Sequence, residues 1–174
     1  MKSISVKRSK ARILFIILSI LCMIAIFFFS SENATKSSNT SGRVVRLILG
    51  IIVPDFSELT AAVQREMVHN AQHIVRKLAH FTAYATLGLF LSMAMGRRKL
   101  LSRQTLLTLI AGAVYAASDE LHQALVPGRS CELRDVMIDT SGVLTGILLS
   151  MLLFLIIVKL SDPINKKHKE QGRT

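Results

Sequence analysis

Residues 13–29 read ILFIILSILCMIAIFFF, seventeen positions that are apolar except for Ser19. A helix needs about 20 apolar residues to cross the hydrocarbon core of a bilayer, so an uncharged stretch of this length reads as a membrane span. Working outward, further apolar runs fall at 78–95, 105–117 and 136–158. The run at 105–117 is too short alone and must extend into the polar residues that follow it. The expected spans are therefore 13–30, 78–96, 104–125 and 136–158. With 174 residues, 51% hydrophobic and a mean hydropathy of +0.45, the chain is too apolar for an ordinary soluble domain and too short for a large transporter. The fold expected is all-α, an integral membrane bundle of about four transmembrane helices plus an outer interfacial amphipathic helix.

A formal charge of +11 would suggest nucleic acid in a soluble protein. Here the charges alternate by side, and no nucleic-acid partner is expected. Residues 1–12 carry Lys2, Lys7, Arg8, Lys10 and Arg12; the 97–103 turn carries Arg97, Arg98, Lys99 and Arg103; 159–174 carries five more. These segments hold 14 of the 22 basic residues and only two acids, Asp162 and Glu170. The positive-inside rule then places both termini and the 97–103 turn in the cytoplasm, with 30–77 and 126–134 outside. The organisation is a basic N-terminus (1–12), one membrane domain (13–158) and a basic tail (159–174).

A basic start before an apolar run also fits a cleaved signal peptide. Phe27-Phe28-Phe29-Ser30-Ser31-Glu32 lacks a small-x-small site, which favours an uncleaved anchor. Cys22 lies within the first run and Cys131 in an outer loop, so two cysteines make no disulfide framework and Cys131 reads as a free thiol.

Between the first two spans, 30–41 (SSENATKSSNTS) is rich in turn-forming residues and reads as an irregular outer loop. Residues 43–53 are apolar but too short to span, and Pro54-Asp55 ends them; a helix in the outer interface is expected. Residues 56–77 read as an amphipathic helix with Ser57 as N-cap, apolar at Leu59, Ala62, Val63, Met67, Ala71, Ile74, Val75 and Leu78, running into the second span. His69, His73, Arg76, Lys77 and His80 recur with nearly the same period. A row of histidines could hold a metal, but a headgroup-facing polar stripe is the simpler reading, and no metal or cofactor is expected. Ala79 and Ala83, Ala111 to Ala113, and Gly142 with Gly146 mark close helix packing. No internal repeat, Gly-rich phosphate loop or CxxC pair is present.

The chemistry concentrates after the third run. Its 13 residues, at about 1.5 Å each, cover only about 20 Å of a core about 30 Å thick. Ser118, Asp119, Glu120, His122 and Gln123 therefore belong to the outer third of the bilayer. Asp119, His122 and Gln123 share one side at i, i+3 and i+4, while Glu120 points elsewhere, toward a basic partner. Pro127-Gly128 turns the chain, and Asp135 and Asp139 lie a turn apart at the start of the fourth helix, where carboxylates suit the helix dipole. His80 and Tyr84 are again i, i+4. Antiparallel helices thus bring His80, Tyr84, Asp119, Glu120, His122, Gln123, Arg129, Asp135 and Asp139 to one depth. Ionisable groups there cost about 2.5–3.5 kcal/mol each on insertion scales, so they need partners or water and mark a site. The plainer reading is a structural network in which Arg76, Lys77, Arg129 and Arg134 neutralise the acids.

The stretch SDELHQALVPGRSCELRDVMIDTSGVLTG, residues 118–146, resembles the VanZ-like family signature of D-E-x-x-Q, P-G-R and D-x-x-x-[ND]-x-x-G-x-x-x-G. Weaker marks are Phe29-Ser30-Ser31 and Arg76-Lys77-Leu78-Ala79-His80-Phe81 with Tyr84 and Leu87-Gly88. One departure is Ala83, where many relatives place a glutamate before the tyrosine; another is Asp139, where others often carry asparagine. The resemblance implies a multi-pass protein of the bacterial cell membrane, in a family whose named member is associated with resistance to teicoplanin and related lipoglycopeptides. It supplies no reaction.

Three functions fit these residues. The first is a non-enzymatic envelope protein whose outer-leaflet site binds or shields a lipid-linked or cell-wall ligand. Its partners are membrane lipids or a lipid-linked wall precursor, with Arg76, Lys77 and Arg129 meeting phosphate. The second is a small membrane enzyme using Asp119 or Glu120 with His122 or His80 as acid and base, alone or with a metal. No HExxH or nucleophile elbow accompanies them. The third is ion transport through Asp119, His122 and Asp139, against which stands the lack of matching ionisable residues in the cytoplasmic halves of the helices.

Overall fold

A computed structural model describes residues 2–96, 100 and 102–171, with side chains described for 10–96, 100 and 102–160. Arg97, Arg98 and Lys99 of the expected cytoplasmic turn, and the side chains of Lys2, Lys7, Arg8 and 161–174, lie outside the described residues. All regular structure among the described residues is helical: α1 (Lys2–Ser30), α2 (Ala34–Ile52), a 3-10 turn (Phe56–Glu58), α3 (Ala61–Met95), α4 (Arg103–Gln123) and α5 (Leu133–Gln171).

Lys10–Ser30, Ala61–Met95 and Leu133–Leu160 are long and apolar enough to cross a membrane. Only 17% of the apolar window of α1 and 22% of that of α5 are buried inside the protein. Phe28, Phe29, Leu152 and Leu155 stand more than half exposed on these helices. So much outward apolar surface needs lipid as its solvent. At 21 residues, α4 has the length of a span, about 30 Å. Its polar C-terminal turn keeps it out of the clearly apolar set, so the expected count of about four becomes three such helices with α4 packed among them.

The centre of the bundle is α3, which packs most extensively on α5 and also on α1, α2 and α4. Its main core holds Ile26, Tyr84, Leu87, Ala116, Val143 and Ile147, contributed by four helices. Between α3 and α5 the backbones nearly touch. A Cβ added at Gly142 would meet the Phe81 carbonyl oxygen at 2.5 Å, and one at Gly146 would collide with that of Ala85. Small residues give such helices their van der Waals contact where lipid removes the hydrophobic drive. Ser92 and Ser150 add a buried hydroxyl pair at 2.6 Å across the same interface.

The segment 30–41 is not the irregular loop its serines suggest. Only three residues separate α1 from α2, because Asn33 caps α2 by accepting from Lys36 N at 2.8 Å. Ser41 then returns its hydroxyl to the Ser37 carbonyl (2.9 Å), and Gln72 of α3 donates to the Ser38 carbonyl (2.8 Å). Replacing Asn33 by alanine is expected to cost about 1 kcal/mol, read as faster amide exchange in the first turn of α2. The hairpin of α2 and α3 closes on Val45, Phe56 and Val68, with Leu49, Val53, Leu59 and Met67 around them. Two expectations shift here. Ser57 falls in the 3-10 turn and Thr60 becomes the N-cap of α3, because Gln64 turns its amide back onto the Phe56 and Leu59 carbonyls. Val63, Ile74 and Leu78 face outward rather than into the hairpin. The expected continuity of 56–77 with the next span holds from Ala61: α3 is unbroken for 35 residues.

Candidate functional site

One end of the bundle gathers the end of α1, the end of α4, the 124–132 loop, the start of α5 and the middle of α3. The loop turns sharply at Pro127-Gly128, where Gly128 takes φ +77° and Arg129 N donates to the Val126 carbonyl at 3.1 Å. Proline second and a positive-φ glycine third is what a type II turn requires.

Asp119 is the hub. Ser30 Oγ donates to Asp119 Oδ2 at 2.8 Å, and Gln123 Nε2 donates to the same oxygen at 3.2 Å. Gln123 Oε1 in turn accepts from Arg129 Nη1 at 2.8 Å, while Arg129 Nε donates to the Glu32 carbonyl at 3.0 Å. Burial, with Arg76 nearby, pulls the guanidinium pKa below its ordinary value; arginine is basic enough to stay charged all the same. This relay buries Ser30, Asp119 and Gln123. It leaves Asp119 Oδ1 and Tyr84 Oη buried with no partner of hydrogen-bond geometry.

On the facing side, Lys77 Nζ bonds Asp135 and stands 3.8 Å from Glu132. Glu120 Oε1 accepts from Glu132 N at 2.7 Å. His80 Nδ1 lies 3.8 Å from Asp139 Oδ2, too far for a hydrogen bond. Between these groups is a polar cavity of about 280 Å³, whose walls include Arg76, Lys77, His80, Glu120, Gln123, Arg129, Asp135 and Asp139. A second, largely apolar groove of about 320 Å³ runs between α1, α2 and α3, past Ile26, Phe29, Val44 and Val75. The two share Arg76, His80 and Arg129.

Most of the expected residues meet here, with differences. His122 does not share a side with Asp119 and Gln123: it stacks on Phe27 (ring centroids 4.6 Å apart) and faces Ser31 Oγ at 3.1 Å. The α4 end is clasped by α1 on that flank, which takes the imidazole away from the cavity. Glu120 finds a backbone N–H rather than a basic side chain. Tyr84 belongs to the core rather than the cavity wall. Of the four basic residues expected to neutralise the acids, only Lys77 forms an ion pair with one among the described residues. His73 lines the cavity, whereas His69 is exposed and outside it. Glu32 and Glu132 were not singled out by sequence, and Ser30 entered only as part of the weak family mark Phe29-Ser30-Ser31, not as a site residue. A serine at the end of an apolar span, where a hydroxyl has few water partners, was the available signal for Ser30.

No curated protein and no solved structure matches the chain. Residues 15–169 match the VanZ/LLP1 family, a stretch that reaches into every helix and includes the whole polar end. The chain belongs to the VanZ/LLP1 family.

Proposed function

We propose that the polar cavity receives the anionic headgroup of a membrane lipid or a lipid-linked cell-wall ligand at the outer leaflet of a bacterial cell membrane. The protein acts there without catalysis, by binding or shielding. The observation that carries this reading is the shared edge of the two openings. Arg76 and Arg129 stand where a polar cavity passes into an apolar groove, the arrangement a molecule with a phosphate head and a hydrocarbon tail needs. Among the described residues Arg76 makes no ion pair, and Arg129 has two of its five donors committed by the bonds above. Arginine's planar fork suits phosphate. The basic termini support an outer position for this end, by the positive-inside rule.

Shielding such a ligand gives a route to tolerance of teicoplanin and related lipoglycopeptides, drugs that act on lipid-linked targets at that surface. The test is lipoglycopeptide susceptibility of a deletion strain complemented with wild type, Asp119→Asn, Arg129→Ala or Asp139→Asn, with membrane levels checked by immunoblot. The expected result is normal accumulation of each variant without restored tolerance. Variants that restore tolerance as wild type does would sink the proposal.

A further inference from the structure

Asp119 and Asp139 are 4% and 2% exposed, yet no lysine or arginine pairs with either among the described residues. Lys77 turns to Asp135 and Glu132, and the two bonds of Arg129 go to Gln123 and the Glu32 carbonyl rather than to either carboxylate. Two carboxylates at membrane depth with one imidazole beside them need a compensating charge. His80, Asp119 and Asp139 each offer a ligand atom, all within 4.8 Å of one another.

The geometry points to a divalent metal site formed by His80, Asp119 and Asp139, of the class that takes zinc. Ligand atoms about 2.0–2.1 Å from a tetrahedral ion lie about 3.4 Å apart, so rotamer adjustments of about 1 Å close the set. A dication balances the two carboxylates. The surroundings have the form of an outer shell that orients a ligand. Ser30 and Gln123 both hold Asp119 by Oδ2, which leaves Oδ1 unpartnered, and Arg129 fixes the Gln123 amide by its oxygen. Metal-bound carboxylates are held in this manner, and loss of such partners costs about 10–100-fold in affinity. Tyr84 Oη, one helical turn along α3 from His80 and buried without a hydrogen-bond partner, is a further oxygen on the same helix. His80 and Asp139 also line the polar cavity, so the open coordination position faces it. The site does not depend on the headgroup reading.

The experiment uses the full chain in phosphatidylcholine nanodiscs, with any affinity tag removed, stripped by a chelator and titrated with Co²⁺ and then Zn²⁺. The expected result is saturable binding of one Co²⁺ per chain with ligand-field absorption bands, abolished when Zn²⁺ displaces it and confirmed by elemental analysis. His80→Gln and Asp139→Asn should each weaken binding at least tenfold, and Ser30→Ala by about tenfold or more. His69→Gln should change nothing. Wild type that shows no saturable binding overturns the site whatever the variants do. So does binding that survives both His80→Gln and Asp139→Asn.

Discussion

Replacing Gly146 by alanine is expected to destabilise the bundle by about 3 kcal/mol, the upper part of the range for overpacking a close contact. The added carbon collides with the Ala85 carbonyl oxygen and lies 2.6 Å from Leu89 N. Both neighbours are backbone of α3, so no side chain can rotate to make room, and α3 and α5 must separate along their whole contact. Gly50 is the control. It sits in α2 with nothing within 4 Å of where its Cβ would be, and alanine there should stabilise by up to about 1 kcal/mol through helix propensity. Unfolding by sodium dodecyl sulfate titration in mixed micelles reads both. Equal behaviour of the two variants would contradict the α3–α5 packing described above.

Arg129→Ala is expected to weaken binding of phosphatidylglycerol by about 10–100-fold, the loss of a charged hydrogen-bonding partner worth about 1.5–3 kcal/mol. Arg129→Lys should recover little of this. Lysine keeps the charge but not the planar fork that reaches the Glu32 carbonyl and Gln123 Oε1 together, so the loop loses its brace as well as its anion donor. Native mass spectrometry of the detergent-purified chain with added lipid measures both variants. Binding in Arg129→Ala equal to wild type, with unfolding unchanged, would remove Arg129 from the headgroup reading.

The sequence carried the helical bundle because an apolar run in lipid has few alternatives: backbone groups must pair internally, and a helix does so locally. It carried the gathering of polar residues because the shortness of 105–117 pushes Asp119 and its neighbours to one end. What it did not carry were choices made by tertiary contact. Serines of 34–41 favour turns by local hydrogen bonding, yet they fold into α2 because Asn33 caps them and Gln72 reaches across from α3. The side that His122 takes depends on Phe27, and the partner of Glu120 on where the 124–132 loop brings Glu132. Periodicity places a residue on a face; it says nothing of which neighbour claims that face.

The polar end is joined by contacts between segments far apart in the chain, and this fixes when it can form. Ser30 meets Asp119 across 89 residues and Gln123 across 93, and the Glu32 carbonyl waits 97 residues for Arg129. Helices that enter the bilayer in chain order must therefore leave the end of the first span unsatisfied until the fourth helix arrives. Closure of this end is a late event in biogenesis, and a chain stopped before α4 presents a first span packed on α3 with its polar end still open.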